Sequence, residues 1–375
     1  MAPEIRTVRP EEFDDFMRYL ERAFGHSKAF FQRAYPQLYQ PREQALSWAY
    51  MIEEDGEIVS HVGVYPIETI TAGVQLTVGG IGAVSTAASA RGKGYMTQIL
   101  THIIGEMRRI GYPVSWLGGD RQRYNTFGWE IASPSYNLRF SQRSLKWHNV
   151  QPVAIEEVMP EEALATVERL QSEANCYTVR PGLNSQIHKL DHRFFVSEDG
   201  YAILHGQARQ NISISELIST SGNEVGMIRA LLDWNFGDSA GWQVSMWDKT
   251  RLGRVMPFVS YWSSGYSGMY RINDLAQLLT QAQDTLVRQA APLRDFTVAL
   301  GMREHDRTTV TTITVENGAV DIRSGKHAKA YIELSPIEMT RLVLGGPPLD
   351  ATVQIPLGLA ALLPVPCYVL PFDHV

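Results

Sequence analysis

The stretch Val84-Ser85-Thr86-Ala87-Ala88-Ser89-Ala90-Arg91-Gly92-Lys93-Gly94-Tyr95-Met96 decides how the chain is read. Its first residues close a run from about residue 75 that has strand character. Its last residues open a helix over 95–110, because Met96, Ile99, Ile103, Met107 and Ile110 share one face at helical spacing. Between the two, Gly92 and Gly94 let the backbone turn tightly. The free amides and the dipole of a helix start then make a site for an anion such as a pyrophosphate. Arg91 and Lys93 add positive charge there. A short glycine turn of this kind is equally a plain way to begin a helix, so its surroundings must choose between the two.

Upstream, Phe13, Phe16, Met17, Leu20 and Phe24 make residues 11–24 an amphipathic helix, and a second helical stretch is expected over 28–39. Residues 49–52 and 58–70 then read as a hairpin about Asp55-Gly56, which supplies the positive φ of a tight turn. The loop therefore follows two helices and an antiparallel meander. A dinucleotide fold would place it after the first parallel strand, with an acidic partner some 20 residues on, and a Walker loop would need GKS or GKT. Downstream, Gly111-Tyr112-Pro113 stops the helix, 114–117 is a strand, and 121–127 is a short helix or turn before Gly128.

Farther along, 161–174 and 224–235 read as helices, and 201–207, 212–218 and 241–246 as strands, partly echoing the first region. A helix over 275–288, a strand over 295–300, a hairpin about Asn317-Gly318 and a helix over 335–344 complete the chain. The fold class is α+β, mixed α/β, with domains expected at 1–140, 141–269 and 270–375. Residues 355–372, IPLGLAALLPVPCYVLPF, carry no charge and approach the length of a membrane span. Pro356, Pro364, Pro366 and Pro371 break the helix that a span demands, so buried strand and turn is the expectation, with no membrane partner.

With 375 residues, two or three domains are expected at roughly 150 residues each. Lys and Arg number 34 against 40 Asp and Glu, a net charge of -6, which excludes a phosphate-driven nucleic-acid binder. It suits cationic small molecules better. The two cysteines, Cys176 and Cys367, form neither a disulfide framework nor a zinc site, and the charged N-terminus lacks an export signal. A cytoplasmic protein is expected. His188 and His192 have i,i+4 spacing, but without the metalloprotease glutamate they read as ordinary surface or core residues, and no metal is expected.

The element order, the glycine loop and the segment Gly118-Gly119-Asp120-Arg121-Gln122-Arg123-Tyr124-Asn125-Thr126-Phe127-Gly128-Trp129 together resemble the GCN5-related N-acetyltransferases (GNAT). That family's pyrophosphate motif is Gln or Arg, two residues, Gly, one residue, then Gly or Ala. Arg91 and Gly94 match it, while Met96 departs from the small final residue. The whole chain resembles the enhanced intracellular survival (Eis) acetyltransferases. It does so through Met269-Tyr270-Arg271-Ile272-Asn273-Asp274, Thr340-Arg341-Leu342-Val343-Leu344-Gly345 and Pro371-Phe372-Asp373-His374-Val375. The resemblance implies tandem GNAT-like domains, the first catalytic and the second degenerate, followed by a sterol-carrier-protein-2-like (SCP2-like) domain. It implies acetyl-CoA as co-substrate, held by the backbone of Val84, Ser85 and Thr86, by the loop Arg91, Gly92, Lys93, Gly94, Tyr95 and Met96, and by Gly119 and Asp120. Tyr124 would protonate the departing thiolate, and the C-terminal carboxylate, Val375 here, would act as base. The acceptor would be a small cationic or peptide-like amine, aminoglycosides being substrates of some members. A homo-oligomer is implied too, since related proteins are often hexameric.

The chemistry accounts for such a set. A protonated amine must lose a proton before it attacks a thioester, the tetrahedral oxyanion needs fixed donors such as the amide near Val84, and the thiolate accepts a proton from a phenol. Plainer roles stand beside each residue: Tyr124 as a core tyrosine, Asp120 as a helix cap, Val375 as a frayed end, and Asp373 or His374 as the base. Phe24, Phe30, Phe31 and Tyr35 are either core or the lining of an acceptor pocket. A rival function is a carrier or sensor that holds an apolar ligand in the C-terminal domain.

Overall fold

The computed structural model describes residues 3–375. Six strands, β1 (Ile5–Thr7), β2 (Ala49–Glu54), β3 (Glu57–Thr71), β4 (Val74–Thr86), β5 (Val114–Leu117) and β6 (Glu130–Ser141), come from the first part of the chain. Seven more follow: β7 (Glu156–Val158), β8 (Cys176–Val179), β9 (His192–Val196), β10 (Gly200–His205), β11 (Asn211–Ser219), β12 (Ser239–Ser245) and β13 (Tyr261–Ile272). They form one 13-stranded sheet in the order β1-β2-β3-β4-β5-β13-β6-β12-β11-β10-β9-β7, with β8 pairing on β3.

That order is nearly symmetric. β4 and β5 are parallel neighbours with the helix Tyr95–Arg109 between them in sequence, and β11 and β12 are parallel neighbours joined through the helix Glu224–Asn235. The last strand of each half crosses to the other: β13 pairs with β5, β6 pairs with β12, and β6 and β13 pair with each other from Tyr261↔Arg139 to Tyr270↔Glu130. Sequence reading found neither β6 nor β13, and the boundary expected after residue 269 falls inside β13. Their composition explains the omission. EIASPSYNLRFS and YWSSGYSGMYRI are rich in Ser, Gly and Pro and show no clean apolar alternation, because each strand is held by two neighbours rather than by one buried face.

Side chains of the first half alternate between two cores. Ile52, Val62, Val64 and Ile81 face the helix Tyr95–Arg109, whereas Met51 and Tyr65 face the helix Phe13–Phe24. The hairpin turn lies where expected, with Asp55 at φ 53° and Gly56 at φ 81°. The second helix is shorter than expected, Phe30–Ala34, since Pro36 cannot continue it.

The remaining strands, β14 (Phe296–Glu304), β15 (Arg307–Glu316), β16 (Ala319–Ser324) and β17 (Tyr331–Leu334), form a separate sheet in the order β16-β15-β14-β17. The helices Leu275–Gln281 and Gln283–Ala290 share one core with this small sheet and with Val78, Val114 and Tyr270 of the large one. The apolar segment is not a strand. After the short helix Leu357–Leu362 it runs extended and unpaired through the same core, with Val365, Cys367 and Val369 buried. Side chains and single main-chain bonds hold it: Val365 N–H donates to Val343 O at 2.7 Å, Val369 N–H to Tyr270 Oη at 3.1 Å, and Ser133 Oγ to Cys367 O. Among the described residues no helix is long and apolar enough to cross a membrane.

Candidate active site

β4 and β5 pair only from Val78↔Val114 to Ile81↔Leu117 and then separate. The cause lies on the other edge of β4. Gly82 faces Gly63 and Ser85 faces His61, leaving Ala83 and Val84 opposite Val62, a bulge in which Ala83 takes φ 49° and bends the strand. Beyond the bulge, Ser85 pairs with His61 and Ala87 N–H donates to Val59 O at 2.8 Å. Backbone groups alternate in direction, so those of Val84 and Thr86 turn to the opened side, where β5 no longer meets them. Ser85 does not share that role: its backbone serves β3, and its hydroxyl accepts from Tyr19 Oη at 3.1 Å.

The loop next to this opening has Gly92 at φ 83° and Gly94 at φ 78°, and no side chain caps the helix Tyr95–Arg109. Its first amides are therefore left for a ligand or water. Lys93 departs from expectation. Its ammonium lies 2.7 Å from the Glu54 carboxylate, to which Tyr95 Oη also donates at 3.1 Å, so its charge is turned toward the β2–β3 hairpin. Arg91 is exposed, and the larger Met96 is accommodated by packing half-buried against the core under the helix.

Tyr124 sits in the short helix Arg121–Asn125, buried at 6% exposure. Gly119 makes room for it: a Cβ there would stand 3.1 Å from Tyr124 Cε2, and the φ of 138° already excludes most side chains. Burial raises the phenol above its ordinary value, with Arg123 opposing, so it carries its proton at neutral pH. Asp120 is a cap: its carboxylate accepts from Gln122 N–H at 3.0 Å and is exposed. Glu130, fully buried, takes Arg121 at 2.6 Å and Arg341 at 2.6 Å. The Arg341 segment thus ties the C-terminal domain to the helix that carries Tyr124. The Arg271 segment has a similar task, since Arg271 donates to Phe127 O at 2.9 Å and pairs with Glu304.

The last three residues have three different environments. Asp373 is an anchor rather than a base. Arg180 grips it through two bonds of 2.8 Å, Gln186 adds a third of 2.8 Å, and Glu216 holds the other side of the guanidinium at 2.5 Å. Burial alone would raise the Asp373 carboxyl, yet Arg180 holds it below the ordinary value. His374 stacks on Trp116 at 4.3 Å. Val375 is packed, not frayed. A Cβ on Gly82 would lie 3.1 Å from its main-chain carbon C, and one on Gly80 would lie 2.8 Å from its Cγ2. Lys189 completes the clamp by donating to the carbonyls of Phe372 and His374 at 2.9 Å each. Sequence reading missed Arg180, Lys189, Gly80 and Gly82. The alternating glycines within a strand were the one legible signal, since they mark close approach of another chain segment.

The aromatic residues form a continuous wall. Phe24, Phe31 and Tyr39 meet edge-on at 5.5 and 5.2 Å, and Tyr65 Oη donates to Tyr39 Oη at 3.0 Å. Phe31 and Tyr39 are core, and Phe24 is 40% exposed. Trp48, Ile67, Gln37 and Val375 line a cavity of about 130 Å³ beside them. His188 and His192 are not a helical pair. The helix ends at Gln186, His188 faces Glu161, and His192 lies in β9 bonded to Leu190 O.

Burial pushes the imidazoles of His61, His192 and His374 down to about 4, from an ordinary 6.5. An unfolded chain takes up these protons near pH 6.5, the folded chain only near 4. Stability is therefore full above pH 6.5 and falls as pH drops toward 4, by up to about 1.4 kcal/mol per unit for each histidine. Calorimetry is expected to show the unfolding midpoint dropping between pH 7.5 and 5. This precedes protonation of Glu12, which Arg6 holds at about 2. A flat midpoint over that interval would refute the assignment.

Residues 4–132 match the acetyltransferase (GNAT) domain family. The matched part holds the β4–β5 opening, the glycine loop and Tyr124, so the likeness to acetyltransferases of this class falls on the residues of the candidate site. No curated protein sequence matches the chain. Among solved structures, a GCN5-related N-acetyltransferase from Anabaena variabilis aligns with 17% identity and a TM-score of 0.72 over 99% of this chain and 100% of its own. Eis1 from Mycobacterium abscessus aligns with 17% identity and a TM-score of 0.66 over 99% of both chains. A probable N-acyltransferase from Enterococcus faecalis aligns with 17% identity and a TM-score of 0.70 over 92% of this chain and 90% of its own. At this identity the likeness is one of fold, and it extends over nearly the full length.

Proposed function

We propose that the protein transfers an acetyl group from acetyl-CoA to an amine of a small acceptor by direct attack in a ternary complex. The acceptor expected from the sequence is a cationic or peptide-like amine, aminoglycoside-like compounds included. The observation that carries the reading is the opening between β4 and β5. On its β4 edge lie the backbone groups of Val84 and Thr86, and an uncapped helix start follows at Gly94. The pantetheine arm would pair with the strand edge and the pyrophosphate with the amides after Gly92, with Val84 N–H as the oxyanion donor. A second GNAT-like unit in β7–β13 and an SCP2-like C-terminal domain belong to the same proposal, as do a homo-oligomer, a hexamer in this reading, and a cytoplasmic location.

Gly94→Asp is the direct test. The new side chain would strain a residue at φ 78° and place a negative charge where the pyrophosphate docks. Acetyl-CoA affinity measured by titration calorimetry is expected to fall about a hundredfold, near 3 kcal/mol. Equal binding, or no binding by the wild type, would refute the reading. A thiol-release assay across an amine panel then identifies the acceptor.

As base we propose the carboxylate of Val375, the last residue of the sequence, because its main-chain carbon lies over Gly82 at the bulge. Deleting Val375 alone, or appending a few residues after it, is expected to lower turnover at least about tenfold while acetyl-CoA affinity holds. Unchanged turnover would place the base elsewhere. Against the rival carrier reading stands the packing of Leu359, Leu362, Val365 and Val369, which are buried in the core that the small sheet shares with the large one.

A further inference from the structure

One side of the β4 bulge is held by His61. The imidazole is fully buried on the face of β3 that also carries Tyr65, with its ring centre 4.8 Å from that of Phe16. Its Nδ1 lies 2.9 Å from Ala83 O, while Nε2 is buried with no partner among the described residues. A carbonyl oxygen only accepts, so Nδ1 carries the ring proton. Burial, which pushes the imidazole down to about 4, keeps the ring neutral. A leucine would fill this place without burying a bare nitrogen. The bond to Ala83 O is therefore what the polar ring contributes here.

Ala83 O and Val84 N–H belong to one trans peptide and point in opposite directions. His61 stands on β3. Ala83 O turned toward it sends Val84 N–H away from β3, to the side where β5 has parted from β4. Ser85 Oγ donates to the same oxygen at 3.2 Å and is itself backed by Tyr19 Oη. Two donors thus fix a peptide whose first residue, Ala83, stands at φ 49°. That conformation is costly for any residue but glycine and persists only where its surroundings determine it. Donors at the oxygen also polarise the amide, which strengthens its N–H as a donor.

Resting on the acetyl-transfer reading above, in which Val84 N–H receives the oxyanion, we propose that His61 is a positioning residue for that donor. By holding Ala83 O toward β3, its Nδ1–H keeps Val84 N–H aimed into the opening.

Two variants separate this role from packing. His61→Leu keeps most of the volume and removes the donor. It is expected to lower kcat about tenfold, less than the loss of a whole oxyanion donor, while the KM for acetyl-CoA changes less than about twofold. His61→Met, equally without a donor but more adaptable, takes its place if the leucine variant does not fold. His61→Asn leaves a larger gap but puts an amide nitrogen where Nδ1 was. It is expected to stay within about threefold of the wild-type kcat despite a lower unfolding midpoint. The acceptor in these assays is the best amine of the thiol-release panel. Unchanged kcat in the donor-free variant, or an Asn variant as slow as it, overturns the proposal and leaves acetyl transfer standing.

A second readout needs no turnover. Protein carrying 13C-carbonyl alanine and 15N-valine shows only two Ala-Val peptides, 83–84 and 319–320, in a carbonyl-selected amide spectrum. Loss of the His61 bond is expected to move the 83–84 carbonyl carbon and amide proton to lower shift, with 319–320 unmoved and the Asn variant close to wild type. If the signal moves in this way while wild type acetylates no amine, His61 holds the peptide and the acetyl-transfer reading falls. An 83–84 signal unmoved by removal of the donor overturns the proposal.

Discussion

Arg180→Met is expected to destabilise the protein by about 3–5 kcal/mol, the cost of leaving buried charge without its partner. Arg180, Asp373 and Glu216 side chains are at most 4% exposed, and the one guanidinium bonds both carboxylates. Burial would lower the Arg180 pKa, and the two acids hold it well above the ordinary arginine value instead. Without it, Asp373 and Glu216 must protonate or unfold their surroundings, with Gln186, Tyr201 and the nearby Lys189 left to compensate. The anchor lies two residues before Val375, so the same substitution should free the tail. Chemical denaturation measures the first effect. The second is expected as faster loss of the last residues to carboxypeptidase under conditions where the variant remains folded. A triple variant, Arg180→Met with Asp373→Asn and Glu216→Gln, should recover part of the stability because the three buried charges are gone together. Wild-type stability in Arg180→Met would show that the cluster contributes nothing net.

Tyr124→Phe is expected to lower turnover about 10²-fold or more, the usual worth of a positioned general acid, with acetyl-CoA affinity nearly unchanged. The phenyl ring keeps the packing against Gly119, so the fold should survive. The distinguishing sign is the leaving group. Replacing the coenzyme A thioester by one whose thiol is more acidic should restore most of the variant's rate, because such a thiolate departs without a proton. Equal loss with both thioesters would mean that Tyr124 shapes the site and donates nothing.

The first 130 residues are readable from sequence because their chemistry is local. Asp55-Gly56 fixes a turn by backbone conformation alone, and the Gly92-Lys93-Gly94 loop joins a strand to an amphipathic helix within a few residues. What stayed hidden is non-local. The strand identity of 130–141 and 261–272 depends on pairing with each other and with β5 and β12, and their own composition argues for loops. Arg180 and Asp373 are 193 residues apart, and nothing in either segment announces the other. The motif lysine shows the opposite failure. Position 93 reads as a phosphate contact from sequence, yet Glu54 from a neighbouring hairpin takes its charge. The cap role of Asp120 was legible, since it follows from the residues just after it.

The exchanged strands also bear on how the chain is made. β5 acquires its second neighbour only when β13 is available, about 150 residues after it in sequence. At synthesis rates of roughly 5–20 residues per second, the nascent first domain waits on the order of 8–30 s on the ribosome with that edge uncovered. A chain ended after residue 141 would keep the glycine loop and Tyr124 but make that wait permanent. Aggregation of the isolated domain, and its rescue by supplying the second half in trans, would be the cellular trace of two strands that changed places.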